Sequence, residues 1–210
     1  ANAKHPKIRL FNVAPKKTVA IDPQTNVNPE VVWTECSPAT IPNFSAVAYY
    51  FGRHLQQELD VPIGLINTSW GGTRVEPWTP LEGFAASDDP GVKAIGDNTA
   101  KAQAAFHAAV AKAKADGAEA PKANVGAGTP VALYNANVHP LVPFAIRGAI
   151  WYQGESNRGE GMLYAKKKQA LIAGWRSVWQ QGDFPFLFVQ LAPYTYGGGD
   201  LQLPEIWEAQ

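Results

Sequence analysis

Across 210 residues, 18 Lys and Arg side chains balance 18 Asp and Glu, and 46% of positions are hydrophobic. That balance excludes the strong global field that recruits nucleic acid or an anionic membrane surface. No apolar run approaches the roughly 20 residues that span a bilayer, and the single Cys36 excludes an internal disulfide or a cysteine-rich metal site.

This length suits one sizeable core, so a single domain over residues 1–210 is expected. The chain opens on Ala1 with neither an initiator Met nor a signal peptide, as expected of a piece cut from something longer or processed. Seven Trp, seven Tyr and nine Phe suit a protein that handles sugars or other flat ligands, with core packing as their default use.

In chain order, Ile8–Val13 alternates well enough to predict a strand, ended by Ala14-Pro15. Residues 18–43, rich in Pro, Asn and Thr, read as a surface excursion with a short strand near Val31–Trp33. Phe44, Val47, Ala48, Phe51, Leu55 and Leu59 fall at helical spacing behind Asn43, the expected N-cap. Val61–Asn67 then predicts a buried strand that runs into Thr68-Ser69-Trp70-Gly71-Gly72-Thr73, which completes a βαβ-type step.

Ala and Lys dominate residues 93–122, and the stretch of about 85–128 reads as a solvent-washed helix or hairpin inserted into the fold. After Tyr134–Pro140, Ile146–Tyr152 predicts the next strand, and Gln153-Gly154-Glu155-Ser156-Asn157 stands at its carboxyl end. In open α/β sheets that is where ligands bind. The following helix carries Tyr164, Leu171, Ile172, Trp175, Val178 and Trp179 on one face, with Lys166 to Lys168 outward. Phe186–Leu191 predicts another buried strand, followed by a Tyr/Gly loop over Tyr194–Gly199 and the start of a last helix near Leu203.

Four ordered segments carry a family likeness: Pro62–Thr73, Leu133–Pro140, Trp151–Asn157 and Phe184–Pro193. Together they resemble the sialate O-acetylesterases, within the SGNH (GDSL-type) hydrolases. The likeness covers most of residues 6–80 and 130–210. It implies an α/β fold with a central parallel sheet flanked by helices, of flavodoxin-like type. It also implies hydrolysis of O-acetyl esters on a carbohydrate, most of all sialic acid, with no cofactor and export from the cytoplasm. The family's nucleophilic Ser sits in a Gly-Gln-Ser-Asn-type turn, and its Asp and His in an Asp-x-x-His segment. Neither pattern occurs here, so the triad is expected outside these residues.

What remains is the oxyanion side of the chemistry. Acyl transfer passes through a tetrahedral oxyanion, and preorganised N–H donors aimed at it are often the largest catalytic contribution. Gly71 offers a backbone N–H that a substrate oxygen can approach closely, and Gln153 offers a side-chain amide. In the resemblance these two match the oxyanion-hole glycine and amide donor, with Gln in place of the more usual Asn. Gly72 either supports the site or serves only the turn, and the sequence does not separate the two glycines; Glu155 is a candidate to orient the amide, with a plain helix-start carboxylate as the alternative. Arg74 and Glu76 are expected to pair in support of the loop.

His139 matches a non-catalytic family position and reads as a packed or loop histidine. A self-contained triad of Ser156 or Ser69 with His139 is the rival, but Gly154-Glu155-Ser156-Asn157-Arg158 lacks the second Gly of a nucleophile elbow. Trp70, Trp78 and Trp151 are either a sugar platform or core. The competing functions are an esterase of the same fold acting on acetylated xylan and a non-catalytic carbohydrate-binding remnant.

Overall fold

Alternating and helical apolar spacing give ten regular elements among the residues described by a computed structural model, namely 3–142, 144–196 and 201–210. They fall into two compact units, Ala1–Thr18 with Asn26–Gly71 and Val19–Thr25 with Gly72–Gln210.

In the first unit, β1 (His5–Asn12) is the middle strand of three. It pairs antiparallel with β2 (Trp33–Cys36) and parallel with β3 (Ile63–Asn67), Leu10 standing opposite Leu65. Helix α1 (Ala46–Leu59) makes the crossover between the parallel strands. Its N-cap is Ser45, whose side chain accepts from Ala48 N, and not Asn43, which ends a preceding short 3₁₀ turn. The core holds Ala3, Ile8, Leu10, Cys36, Tyr49 and Leu65.

The buried stripe of α1 also differs from the expected one. Ala48, Tyr49 and Gly52 face inward, while Val47, Phe51 and Leu59 are exposed. Gly52 explains the rotation, because a Cβ there would lie 2.6 Å from Leu65 Cδ2. The helix packs on β3 through its smallest face. Only Leu65 of β3 is fully buried, so the wholly buried strand expected there is half-buried instead.

In the second unit, α2 (Leu81–Ala85) and α3 (Pro90–Ala115) precede β4 (Ala149–Trp151), α4 (Leu163–Trp179), β5 (Phe186–Phe188) and α5 (Gln202–Ala209). Strands β4 and β5 are parallel and joined by α4, a second βαβ step. The expected parallel sheet is thus seen as one parallel pair in each unit, with antiparallel β2 added to the first. Helix α2 crosses α4 at glycines: a Cβ on Gly83 would stand 2.2 Å from the Ala170 carbonyl oxygen, and one on Gly174 would stand 2.8 Å from Gly83 Cα.

The Ala/Lys stretch forms a single helix, α3. Asp89 caps it through Val92 N (2.9 Å), and Val92 and Gly96 are its buried residues. An aromatic cluster of Trp78, Trp151, Trp175, Trp179, Phe184 and Phe186 packs α4 against the two strands.

Two expectations fail in this unit. Lys167 and Lys168 are buried rather than outward, for reasons given below. The strand expected over Phe186–Leu191 ends at Phe188, and Leu187, Phe188 and Val189 are exposed, because among the described residues β5 has a partner strand on one side only. Of the Tyr/Gly loop, Gly197–Gly199 lie outside the described residues.

Candidate active site

Strand β4 delivers Gln153 at its carboxyl end, and Gly154 (φ 157°) then turns the chain into a 3₁₀ segment over Glu155–Glu160. In the same unit, the chain from Gly72 (φ 78°) through Thr73 and Arg74 leads into the buried Val75–Pro80 run. Hydrogen bonds tie these two stretches together. Ser156 Oγ donates to the Gly72 carbonyl (3.0 Å), and Gln153 Nε2 donates to the Thr73 carbonyl (3.1 Å) and to Asn157 Oδ1 (2.8 Å).

Asn157, fully buried, is the hub that sequence reasoning missed. Its Oδ1 accepts from both Gln153 and Val75 N (3.0 Å), and its Nδ2 donates to Glu76 Oε2 (3.2 Å) and Glu160 Oε2 (3.0 Å). Beneath it, Lys167 Nζ lies 2.6 Å from Glu76 Oε1 and 2.7 Å from Glu160 Oε1. Arg74 bonds Glu76 (3.2 Å) and also pairs with Glu160. Two carboxylates meet two cations, so the buried charge is balanced, as burial of ions requires. Burial alone pushes the Glu76 carboxyl up, but the hydrogen bonds and charge of Lys167, helped by Asn157, hold it below its ordinary 4.5.

The expected Arg74–Glu76 pair is therefore present, as part of a larger cluster. The orienting role expected of Glu155 falls instead to Asn157 and Tyr164. The Tyr164 hydroxyl sits 2.9 Å from the Gln153 carbonyl and 3.0 Å from its Oε1. Burial pushes that phenol up to about 12, so it keeps its proton and donates. With a donor at Oε1 and a carbonyl acceptor at Nε2, the Gln153 amide has one favourable orientation. Both of its N–H bonds are then engaged, so the free amide donor expected from the sequence is not what the structure presents.

The two glycines separate on geometry. Gly72 needs its positive φ, which an L side chain adopts only with strain. Gly71 has neither a positive φ nor any atom within 4 Å of where a Cβ would stand, so neither turn nor packing accounts for a glycine there. Gly71 falls in the first unit and Gln153 in the second.

The structure does not join Ser156 to His139. The Ser156 hydroxyl is bonded to Gly72, whereas His139 Nδ1 lies 2.8 Å from the Gln24 carbonyl and its ring stands edge-on to Tyr134. Trp78 and Trp151 belong to the aromatic cluster, the core use of such residues, and Trp70 lies under Lys17 Nζ (5.2 Å). Among the described residues no three His, Cys, Asp or Glu side chains converge to hold a metal ion, and no helix is long and apolar enough to cross a membrane.

Residues 2–206 match the family model for carbohydrate esterases described as sialic acid-specific acetylesterase. A sialate O-acetylesterase from Rattus norvegicus is 35% identical over 183 residues, 77% of this chain and 32% of the relative. One from Mus musculus is 31% identical over 232 residues, 97% of this chain and 40% of the relative. The crystal structure of a carbohydrate acetylesterase from Xanthomonas citri superposes with a TM-score of 0.74 at 28% identity, over 99% of this chain and 40% of that one. The chain thus spans 32% to 40% of the length of these curated relatives.

Proposed function

Because the chain belongs to the sialic acid-specific acetylesterase family of carbohydrate esterases, we propose that it is the central part of an enzyme that removes acetyl groups from O-acetylated carbohydrate, sialic acid foremost. The observation that carries this reading is the family match over residues 2–206, which takes in both units and supports treating them as parts of one esterase domain. Such an enzyme works outside the cytoplasm, where O-acetylated glycans lie.

The mechanism follows from the ester. A serine hydroxyl, deprotonated by a histidine, attacks the acetyl carbonyl; the carbonyl π bond opens to an oxyanion, which collapses to acyl-serine and releases the sugar hydroxyl. Water then repeats the attack and releases acetate. We place the serine, histidine and aspartate outside these 210 residues, where the family's two missing motifs belong.

This chain's own part is the oxyanion. Gly71, on the family likeness alone, is a candidate donor through a backbone N–H that no Cβ shields. Gln153 contributes its amide, exchanging one existing acceptor, Asn157 Oδ1 or the Thr73 carbonyl, for the developing negative charge. The exchange favours the transition state, since an anionic oxygen is a stronger acceptor than a neutral carbonyl or amide. The Asn157 hub and the ion cluster anchor the loop that carries the amide, so the exchange is confined to one hydrogen bond.

Acetate release from a panel of O-acetylated sialic acid, acetylated xylan and acetylated monosaccharides by the full-length enzyme tests the reading. Preferential release from sialic acid is expected. Preference for xylan would move the substrate within the fold, and release from none would leave a carbohydrate-binding role.

A further inference from the structure

Apart from the Gln153 loop, the second unit carries an open cleft of about 380 Å³, within the range of small-ligand sites. Glu82 of α2, Gln103 of α3, Tyr134 and His139, and Ser177 and Gln180 at the end of α4 all line it. None of these residues takes part in the Asn157 cluster.

Their chemistry converges. Burial, and after it the charge of Glu82, raise the Tyr134 phenol well above its ordinary 10, so that group stays protonated beside the carboxylate. His139 Nδ1 faces the Gln24 carbonyl at 2.8 Å. A carbonyl only accepts, so Nδ1 carries a hydrogen and donates it there, which fixes the ring. The ring is fixed edge-on to Tyr134, with centroids 5.9 Å apart at 81°.

The walls are built rather than loose. Val131, another lining residue, is β-branched yet sits at φ 70°. Tyr134–Val138 forms a wide π-type turn, closed by His139 N–H on the Tyr134 carbonyl. Strained backbone and π-turns concentrate at functional sites. Asn135 Nδ2 and Gln103 Nε2 both bond the Ile21 carbonyl (2.8 and 2.6 Å), and so hold the strip that brings Pro23 to the cleft.

Among the lining residues there is one carboxylate and no Lys or Arg, so nothing there offsets the charge of an anionic ligand. A carboxylate acceptor at Glu82, with hydroxyl, amide and imidazole groups at Tyr134, Ser177, Gln180 and His139, matches a compound with several neutral hydroxyls. We propose that this cleft is a binding site for a neutral saccharide unit.

The test titrates lactose, N-acetylneuraminic acid and ethanolamine separately into the isotope-labelled full-length enzyme while the His139 and Gln180 amide signals are followed by NMR. Saturable shifts at His139 and Gln180 are expected with lactose, at a Kd on the order of 1 mM, and with neither other compound. Glu82→Gln and Tyr134→Phe conserve size and should keep the parent melting temperature while weakening lactose by roughly 3- to 10-fold each. Tighter binding of the anion or the amine overturns the proposal. So does lactose that leaves these signals still, or lactose affinity unchanged in both variants. No ester is cleaved in this experiment, so its outcome is independent of the acetate-release result.

Discussion

Gly71 and Gly72 are neighbours in sequence with opposite reasons for being glycine, and substitution should separate them. Gly71→Ala meets open space at an ordinary φ, so its stability should stay within about 0.5 kcal/mol of the parent. If its N–H receives the oxyanion, however, the added methyl should lower the activity of the full-length enzyme by roughly 10²-fold. Gly72→Ala is strained at φ 78° and should cost about 1–2 kcal/mol in chemical denaturation. A Gly71→Ala enzyme with parent activity would remove Gly71 from the site.

The same scale shows what the sequence made legible. The loop position of Gln153 was legible because it follows a short apolar run and precedes a glycine. Asn157 was not, since its four partners come from residues 75, 76, 153 and 160, and short-range spacing gives no sign of that convergence.

At the scale of elements, helices α1 and α4 were legible from apolar spacing, and their orientation was less so. On α4, Lys167 and Lys168 lie three and four residues after Tyr164 and before Leu171, within the buried stripe itself. Three consecutive helix positions sweep about 200°, at 3.6 residues per turn, and so cannot all point away from it. Lys167 is buried because Glu76 and Glu160 meet it there. Lys168 lies over the Phe188 ring, 3.7 Å from its centroid, and burial lowers it to about 8.

On α1 the signal was misread for a different reason: a small face, not a large one, approaches β3. Close helix approach through small residues recurs at the α2–α4 crossing. Gly83→Ala would drive a Cβ into the Ala170 carbonyl, a backbone atom that cannot rotate away. We expect a loss of about 3 kcal/mol, or a melting temperature lower by about 6–12 °C. An unchanged melting temperature would show that the two helices separate readily.

For the molecule as a whole, the α/β class, the first βαβ step and the existence of an Ala/Lys insertion could be read from the sequence, whereas the choice of one long helix over a hairpin came from the structure. The buried ion cluster could not, and it should set the acid stability. Glu76 has a folded-state pKa below its ordinary 4.5, so the stability it contributes is complete above that value and is lost as pH falls through the folded pKa. Glu30 and Asp88 are lowered too, but they are fully exposed and solvent screens their pairs. Denaturation midpoints between pH 3 and 7 should therefore fall steeply at the acid end in the parent and less steeply in Glu76→Gln. Equal acid slopes would mean that other carboxylates govern the transition.

If Gln153 acts on the transition state of acetyl-ester cleavage, steady-state acetate release by the full-length enzyme and its Gln153→Ala variant will show it. An amide aimed at an oxyanion gains most once negative charge has formed, so kcat and kcat/KM should fall together by about 10²–10³, with KM within a few fold of the parent. Melting temperatures must match, because Gln153 also holds the Thr73 carbonyl and Asn157. A variant with unchanged kcat and a raised KM would contradict the claim and make Gln153 a sugar contact.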